Sequence, residues 1–177
     1  MNTFDPTLLQ PGDVLLYRPG KLRDGWAGWF FGLLIAIKTW TRVSHCEVYI
    51  GDKKSVASRD GRGVAKYPLR LKGLGFVLRP KKQPVDMLHG LKWFYSSTGP
   101  NGHGYDWWGL LVFSGFLHRL KVSMPNRDFC SEFLCRWCRD GTLNPLFNDQ
   151  WDSDRTPPSM ILSSVALELI WQDGDPL

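Results

Sequence analysis

No stretch of this chain stays apolar for the roughly 20 residues that a bilayer-spanning helix needs. The longest apolar run, "GWAGWFFGLLIAI" (25–37), stops at 13 residues, which predicts a buried or interface helix and no transmembrane segment. The N-terminus, "MNTFDPTLLQPGD", lacks a basic region followed by an apolar core, so no secretory signal is expected and synthesis in the cytoplasm is. Cysteine is scarce, with four residues in 177. Without a signal peptide this speaks against a disulfide framework and for reduced thiols. Internal repeats, low-complexity tracts and linkers are missing too. One domain over residues 1–177 is therefore expected, long enough to bury a real core. Acidic residues are outnumbered 17 to 22, giving a net charge of +5 and a pI near 9.1. Such a balance favours anionic partners. The basic residues are scattered, however, with only "RPKK" (79–82) forming a run, and no zinc-finger or RNA-binding signature accompanies them. A solvated basic surface is the plainer reading, and nucleic acid is not an expected partner.

What the chain has in surplus is aromatic side chains, 14% of residues including nine Trp and ten Phe. Those of the 25–37 segment, Trp26, Trp29, Phe30 and Phe31, fill the core beneath a sheet, or, if exposed, mark a lipid site or a docking surface. Along the chain, "PGDVLLYR" (11–18) predicts a turn entering a short strand. An apolar face follows over 25–41, as in a helix. The alternating "HCEVYI" runs into a Gly-Asp turn and "SVAS" resumes, a β-hairpin. "GFVLRP" (75–80) is a further strand and "VDMLHGLKWFYSS" (85–97) reads as helical. After the Pro-Pro pair at 157–158, "SMILSSVALELIW" is expected to be a helix that packs back. Helices and antiparallel strands in separate runs indicate an α+β fold.

The stretch "RDFCSEFLCRWC" (127–138) holds three of the four cysteines. Asp128 is a suitable N-cap, so a helix is expected from about Phe129, with Cys130 in its first turn. Unpaired backbone N–H groups and the helix dipole there favour a thiolate over a thiol. Cys135 and Cys138 lie further along with Leu134 and Trp137 and read as core. The spacing C-x4-C-x2-C also matches the first three ligands of one iron–sulfur arrangement, with Cys46 as a conceivable fourth. Such ligands sit on loops that wrap the cluster, whereas this segment reads as helix. No metal or other cofactor is expected.

A nucleophilic cysteine needs a base. His89 and His118 lie in apolar, helical contexts that suit packing. His103 lies in the Gly-rich "TGPNGHG" loop, facing substrate or solvent. His45 opens a strand directly after Ser44, and a histidine at a strand start facing a cysteine at a helix start suits a thiol hydrolase. Glu47, two residues on, shares the strand face of His45. A carboxylate on a core-facing side needs a partner, which is either His45 or Arg59.

"LQPGDVLLY", a helix, "SHCEVYIGD", "SVASRDGRGV", "YDWWG" and "FCSEFL" together, and in this order, resemble the circularly permuted NlpC-type papain-like hydrolases. Phage- and prophage-encoded members are the most alike, and the similarity spans roughly residues 8–165. The resemblance implies a small antiparallel sheet packed against the helix that carries Cys130. It implies His45 as base, an acyl-enzyme on Cys130, and the Cys130 N–H as an oxyanion donor. The third, histidine-orienting residue departs from the family pattern. The window where relatives place it offers Ser55, Ser58 and Asp60, and Glu47 stands as the choice. Tyr17, Ser44, Arg59, Asp60 and His103 are the expected substrate contacts. In the related lecithin:retinol acyltransferase-like branch the cysteine motif reads N-C-E-H-F, unlike "FCSEF" here.

Three functions follow. The first is an amidase or endopeptidase acting on peptidoglycan peptides, in a phage setting as a virion-associated tail or baseplate component docked to its neighbours. The second is a catalytically idle module of the same fold with a structural role in an assembly. The third is a lipid-directed thiol hydrolase or acyltransferase.

Overall fold

The computed structural model describes residues 4–18, 43–59, 63–82, 130–141 and 156–174. The helices read at 25–41 and 85–97, the aromatic segment, His89, His103, His118, Asp60 and the Asp128 cap lie outside these residues.

Six strands form one antiparallel sheet. They are β1 (Val14–Tyr17), β2 (His45–Gly51), β3 (Lys54–Arg59), β4 (Gly63–Pro68), β5 (Leu74–Pro80) and β6 (Leu167–Gln172), in the spatial order β4-β3-β2-β1-β5-β6. A short helix, α1 (Cys130–Arg136), packs on β2 and β3 and runs on into a π turn, Trp137–Gly141. The architecture is thus α+β, with a six-stranded antiparallel sheet and a short helix that carries Cys130.

Side-chain alternation along the strands makes two cores. Val14, Leu16, Cys46, Val48, Val56, Phe76 and Leu78 face α1 and bury Phe133, Leu134 and Trp137 of the cysteine stretch, with Ile161. Leu15, Tyr17, Tyr49 and Val77 lie on the other face with Phe4 and Leu9. All four residues of β1 are therefore buried, which is why "VLLY" shows no polar alternation. Each such side chain contributes about 1.5–3 kcal/mol of burial. Cys135 and Cys138 sit in the α1-side core. Among the described residues, no group of three or more His, Cys, Asp or Glu is arranged to hold a metal ion.

The β2–β3 hairpin closes through Asp52 and Lys53, both with positive φ (50° and 55°), the backbone of a two-residue type I′ turn. Asp13, in the "PGD" turn, is structural. Its carboxylate accepts from the Gln10 N–H (2.8 Å) and from Arg79 Nε (2.8 Å) and Nη2 (2.9 Å), while Arg79 also donates to the Leu8 carbonyl (2.8 Å). Asp13→Ala is expected to cost about 2–3 kcal/mol, because charge-assisted bonds to a buried carboxylate are lost. The check is a lower urea midpoint at unchanged m-value.

The tail departs from its expected helix. Residues Pro158–Ser163 make only a 3-10 turn, and 167–172 form strand β6. Ser163 and Ser164 turn their hydroxyls onto the local backbone, to the Met160 carbonyl (2.7 Å) and from the Ala166 N–H (3.3 Å), which competes with helix continuation. Beyond them the free edge of β5 takes up the chain, pairing Pro80 with Leu167 and Phe76 with Gln172. Tertiary pairing overrides the helical propensity of "ALEL".

Candidate active site

His45 is the first residue of β2 and pairs with Tyr17 across the β1 ladder, as Glu47 pairs with Leu15 and Cys46 with Leu16. Paired residues share a face. His45, Glu47 and Tyr17 therefore project from one face of the sheet, and Cys46 projects from the other, toward α1.

How Cys130 meets both faces follows from the sheet. Successive backbone N–H groups along a strand point to alternate neighbours. The Tyr49 N–H goes to the Asp13 carbonyl before β1 (2.8 Å), so the even-numbered amides of β2, that of Cys46 included, point toward β3. Pairing between β2 and β3 reaches no further toward His45 than Val48↔Val56, whereas β3 stays paired with β4 as far as Arg59↔Gly63. Beyond that point β2 and β3 part, and α1 packs on both strands. The Cys130 sulfur accepts a hydrogen bond from the Cys46 N–H, another from the Cys46 thiol, and a third from the His45 ring. Ser131, next on α1, ties this end of the helix down by donating to the Thr156 carbonyl (2.5 Å).

On the far side of the ring, His45 Nε2 lies 3.1 Å from Glu47 Oε1, which leaves Nδ1 for the sulfur. Glu47 is buried and closely held. Ser55 Oγ donates to its Oε2 at 2.5 Å, and Arg59 donates to its Oε1 through Nε (3.1 Å) and Nη2. The Tyr17 hydroxyl, whose proton goes to the Arg70 carbonyl (2.9 Å), stands 3.4 Å from Oε2. Its ring lies 5.9 Å from that of His45, centroid to centroid. Arg59 is fixed in turn by stacking 4.1 Å above the Tyr67 ring.

These four charged groups alternate in sign, as thiolate, imidazolium, carboxylate and guanidinium, so the buried row is neutral overall. Cys130 is drawn well below the usual thiol range, first by the Cys46 thiol and then, against the opposing effect of burial, by the His45 charge and hydrogen bond. Burial alone would lower the His45 pKa, but the Cys130 thiolate and Glu47 outweigh it and raise it to about 9. Glu47 falls to about 2, because His45, Arg59 and Ser55 together exceed the cost of burying it. Burial pushes the other thiols the opposite way, Cys135 to about 12 and Cys46 and Cys138 well above the ordinary value. One cysteine of four is set apart by a lowered pKa, the property that favours reaction as a thiolate.

The chain matches no protein-family model, and no curated protein is similar to it.

Of the residues singled out in the sequence, the structure brings Cys130, His45 and Glu47 together. Glu47 joins both of the partners weighed for it, the ring and the guanidinium. Tyr17 and Arg59, expected as substrate contacts, are buried, and what they touch is Glu47; their place is behind the histidine. Ser44 is buried and donates its N–H to the Tyr17 carbonyl (2.9 Å), which fixes the entry to His45. Ser58 is buried on β3, and Ser55 is the serine that reaches Glu47. Cys46, which the sequence suggests only as a conceivable metal ligand, lies against Cys130. The signal for it was its position between two residues of the opposite face, which turns it to the helix.

Cys130 is expected to react with iodoacetamide well below the pH of an ordinary thiol, whose pKa is about 8.5, and ahead of Cys46, Cys135 and Cys138. In His45→Ala the rise in rate should move up toward that value. Peptide mapping of alkylated protein across pH reads both.

Proposed function

We propose that this protein is a thiol hydrolase of the circularly permuted NlpC-type papain-like class, cleaving amide bonds in cell-wall peptides. The observation that supports it is the acidified Cys130 sulfur on an imidazolium whose opposite nitrogen is anchored by a buried carboxylate. A nucleophile, a proton carrier and an orienting group in a row are the parts acyl transfer requires.

In this reading the Cys130 thiolate attacks the scissile carbonyl, and the charge that develops on oxygen is met by the Cys130 N–H at the start of the helix. The tetrahedral intermediate collapses as His45 gives its Nδ1 proton to the leaving amine, which departs and leaves a thioester on Cys130. His45, now neutral, takes a proton from a water molecule as the water attacks the thioester. The acid product leaves, and the thiolate and imidazolium are restored. Glu47 keeps the ring turned and stabilises its charged form throughout. The basic charge of the chain suits an anionic wall polymer, and a phage tail or baseplate is the setting in which such an enzyme would meet it.

The test supplies the purified protein with peptidoglycan fragments in one arm and phospholipid vesicles in the other, measuring new amino groups and free fatty acid. Amino groups from the wall fragments alone support the proposal. Fatty acid alone would move the activity to lipid. If both arms stay silent while Cys130 still alkylates as an acidic thiol, the fold carries an idle site and the hydrolase reading fails.

A further inference from the structure

Cys46 makes and breaks no bond in the hydrolytic steps, yet it is closely joined to the nucleophile. Its thiol and its backbone N–H both donate to the Cys130 sulfur. Two donors from one residue place that sulfur against Cys46 itself. Cys46 is fully buried on a strand with neighbours on both sides, and both cysteines belong to the same core cluster. A valine or alanine would fill that core position without placing a second sulfur against the first. Both thiols are free.

We propose that Cys46 is the resolving partner of Cys130, so that a peroxide converts the pair into a disulfide that closes the nucleophile reversibly. The proposal rests on Cys130 being the reactive thiolate of the site just described. In the first step the Cys130 sulfur attacks one oxygen of hydrogen peroxide, the O–O bond breaks, and hydroxide leaves to be protonated to water. Cys130 then carries a sulfenic acid. In the second, the Cys46 sulfur attacks Cys130 Sγ, the S–O bond breaks, and the Cys46 thiol proton leaves with the hydroxide as water. Two thiols lose two electrons in all, and one peroxide becomes two waters. A dithiol reductant reverses the bond by exchange.

Several features suit this chemistry. Cys130 is 3% exposed, so an oxidant little larger than water is favoured over a bulky one. The thiol that must attack is already aimed at the sulfur it must reach. The two sulfurs need only close from hydrogen-bonding range to a bond of about 2.05 Å. Capture by a neighbour also spares the sulfenic acid from the irreversible sulfinic step. Cys135 and Cys138 lie later on the same helix and its π turn.

The experiment treats the whole protein with hydrogen peroxide, denatures it in maleimide to cap every remaining thiol, and maps the peptides by mass. The expected result is a linked peptide joining Cys46 to Cys130, two maleimides in place of the four taken by the untreated chain with its four cysteines, and return of all four after dithiothreitol. The double variant Cys135→Ser/Cys138→Ser should still form the link. Cys46→Ser should form none and should instead carry a sulfenic acid at Cys130 that a cyclic dione traps, passing with more peroxide to sulfinic acid that dithiothreitol does not rescue. Recovery of Cys130 as sulfinic acid with Cys46 still capped by maleimide would overturn the proposal, as would four free thiols after oxidation. Neither readout depends on turnover. A link without any hydrolysis rejects the hydrolase reading alone, and hydrolysis without a link rejects only the disulfide.

Discussion

Cys130→Ser is expected to lower turnover by about 10⁴–10⁶-fold, the scale at which loss of a nucleophile is felt in enzymes of this chemistry. The exchange is nearly isosteric, so the loss tests chemistry rather than packing. A serine hydroxyl cannot be held ionised by one imidazolium, and the thiolate–imidazolium pair, on which the first step depends, disappears. His45→Ala should be comparably damaging, and the double variant no worse than either alone, because residues that act as a unit do not add. Cys135→Ser, in the same helix but away from the ring, should keep activity within a few-fold. Rates on wall fragments separate these cases. Equal losses for Cys130→Ser and Cys135→Ser would show that the helix matters for stability and the sulfur does not matter for reaction.

The second large effect concerns stability. Glu47→Leu removes the carboxylate that faces both the Arg59 guanidinium and the His45 ring, leaving buried cations without a counter-charge. Breaking a buried pair from one side costs about 3–5 kcal/mol, and a lowered urea midpoint would report it. Glu47→Leu combined with Arg59→Met should recover part of that loss, because the second change removes the stranded charge. The pH dependence has a definite sign. The Glu47 pKa is lowered in the folded state from 4.5 to about 2, so its contribution is present in full above 4.5 and is lost as pH falls through about 2. The gap between wild type and variant should therefore narrow in acid. His45 is raised from 6.5 to about 9. Its contribution is present in full below 6.5 and fades as pH rises through 9. Turnover should fall over the same basic range as the leaving amine loses its proton donor. Glu47→Gln keeps the side-chain shape but not its charge, so it should shift that basic limb downward. An unmoved limb would mean that Glu47 supports the fold without tuning the ring.

Much of this site could be read from the chain before any coordinates. The hairpin was legible because "HCEVYI" alternates and ends at a turn. Glu47 was legible because residues two apart on a strand share a face. Cys130 and His45 emerged from their positions at a helix start and a strand start. The legibility ended where pairing between distant segments decides. Tyr17 lies behind Glu47 only because β1 and β2 pair in a particular register, which no local pattern encodes. The tail was misread because its alternation of apolar and polar residues is short enough to suit either period, and the edge of β5 settled it. Strand β4 went unrecognised as a strand of its own, being six residues long and entered through glycine. The importance of Cys46 stayed hidden because its partner is 84 positions away in the sequence.

The antiparallel ladder that sets His45 and Cys46 on opposite sides has a consequence for protein quality. Sliding β2 by a single position would turn over every side chain it carries, putting the imidazole and the Glu47 carboxylate among hydrocarbons and the Cys46 sulfur on the face that holds Tyr17. Molecules trapped in that arrangement would retain their strand content yet be catalytically silent. Specific activity, compared with circular dichroism on the same sample, would then measure how faithfully each preparation has threaded its central strand.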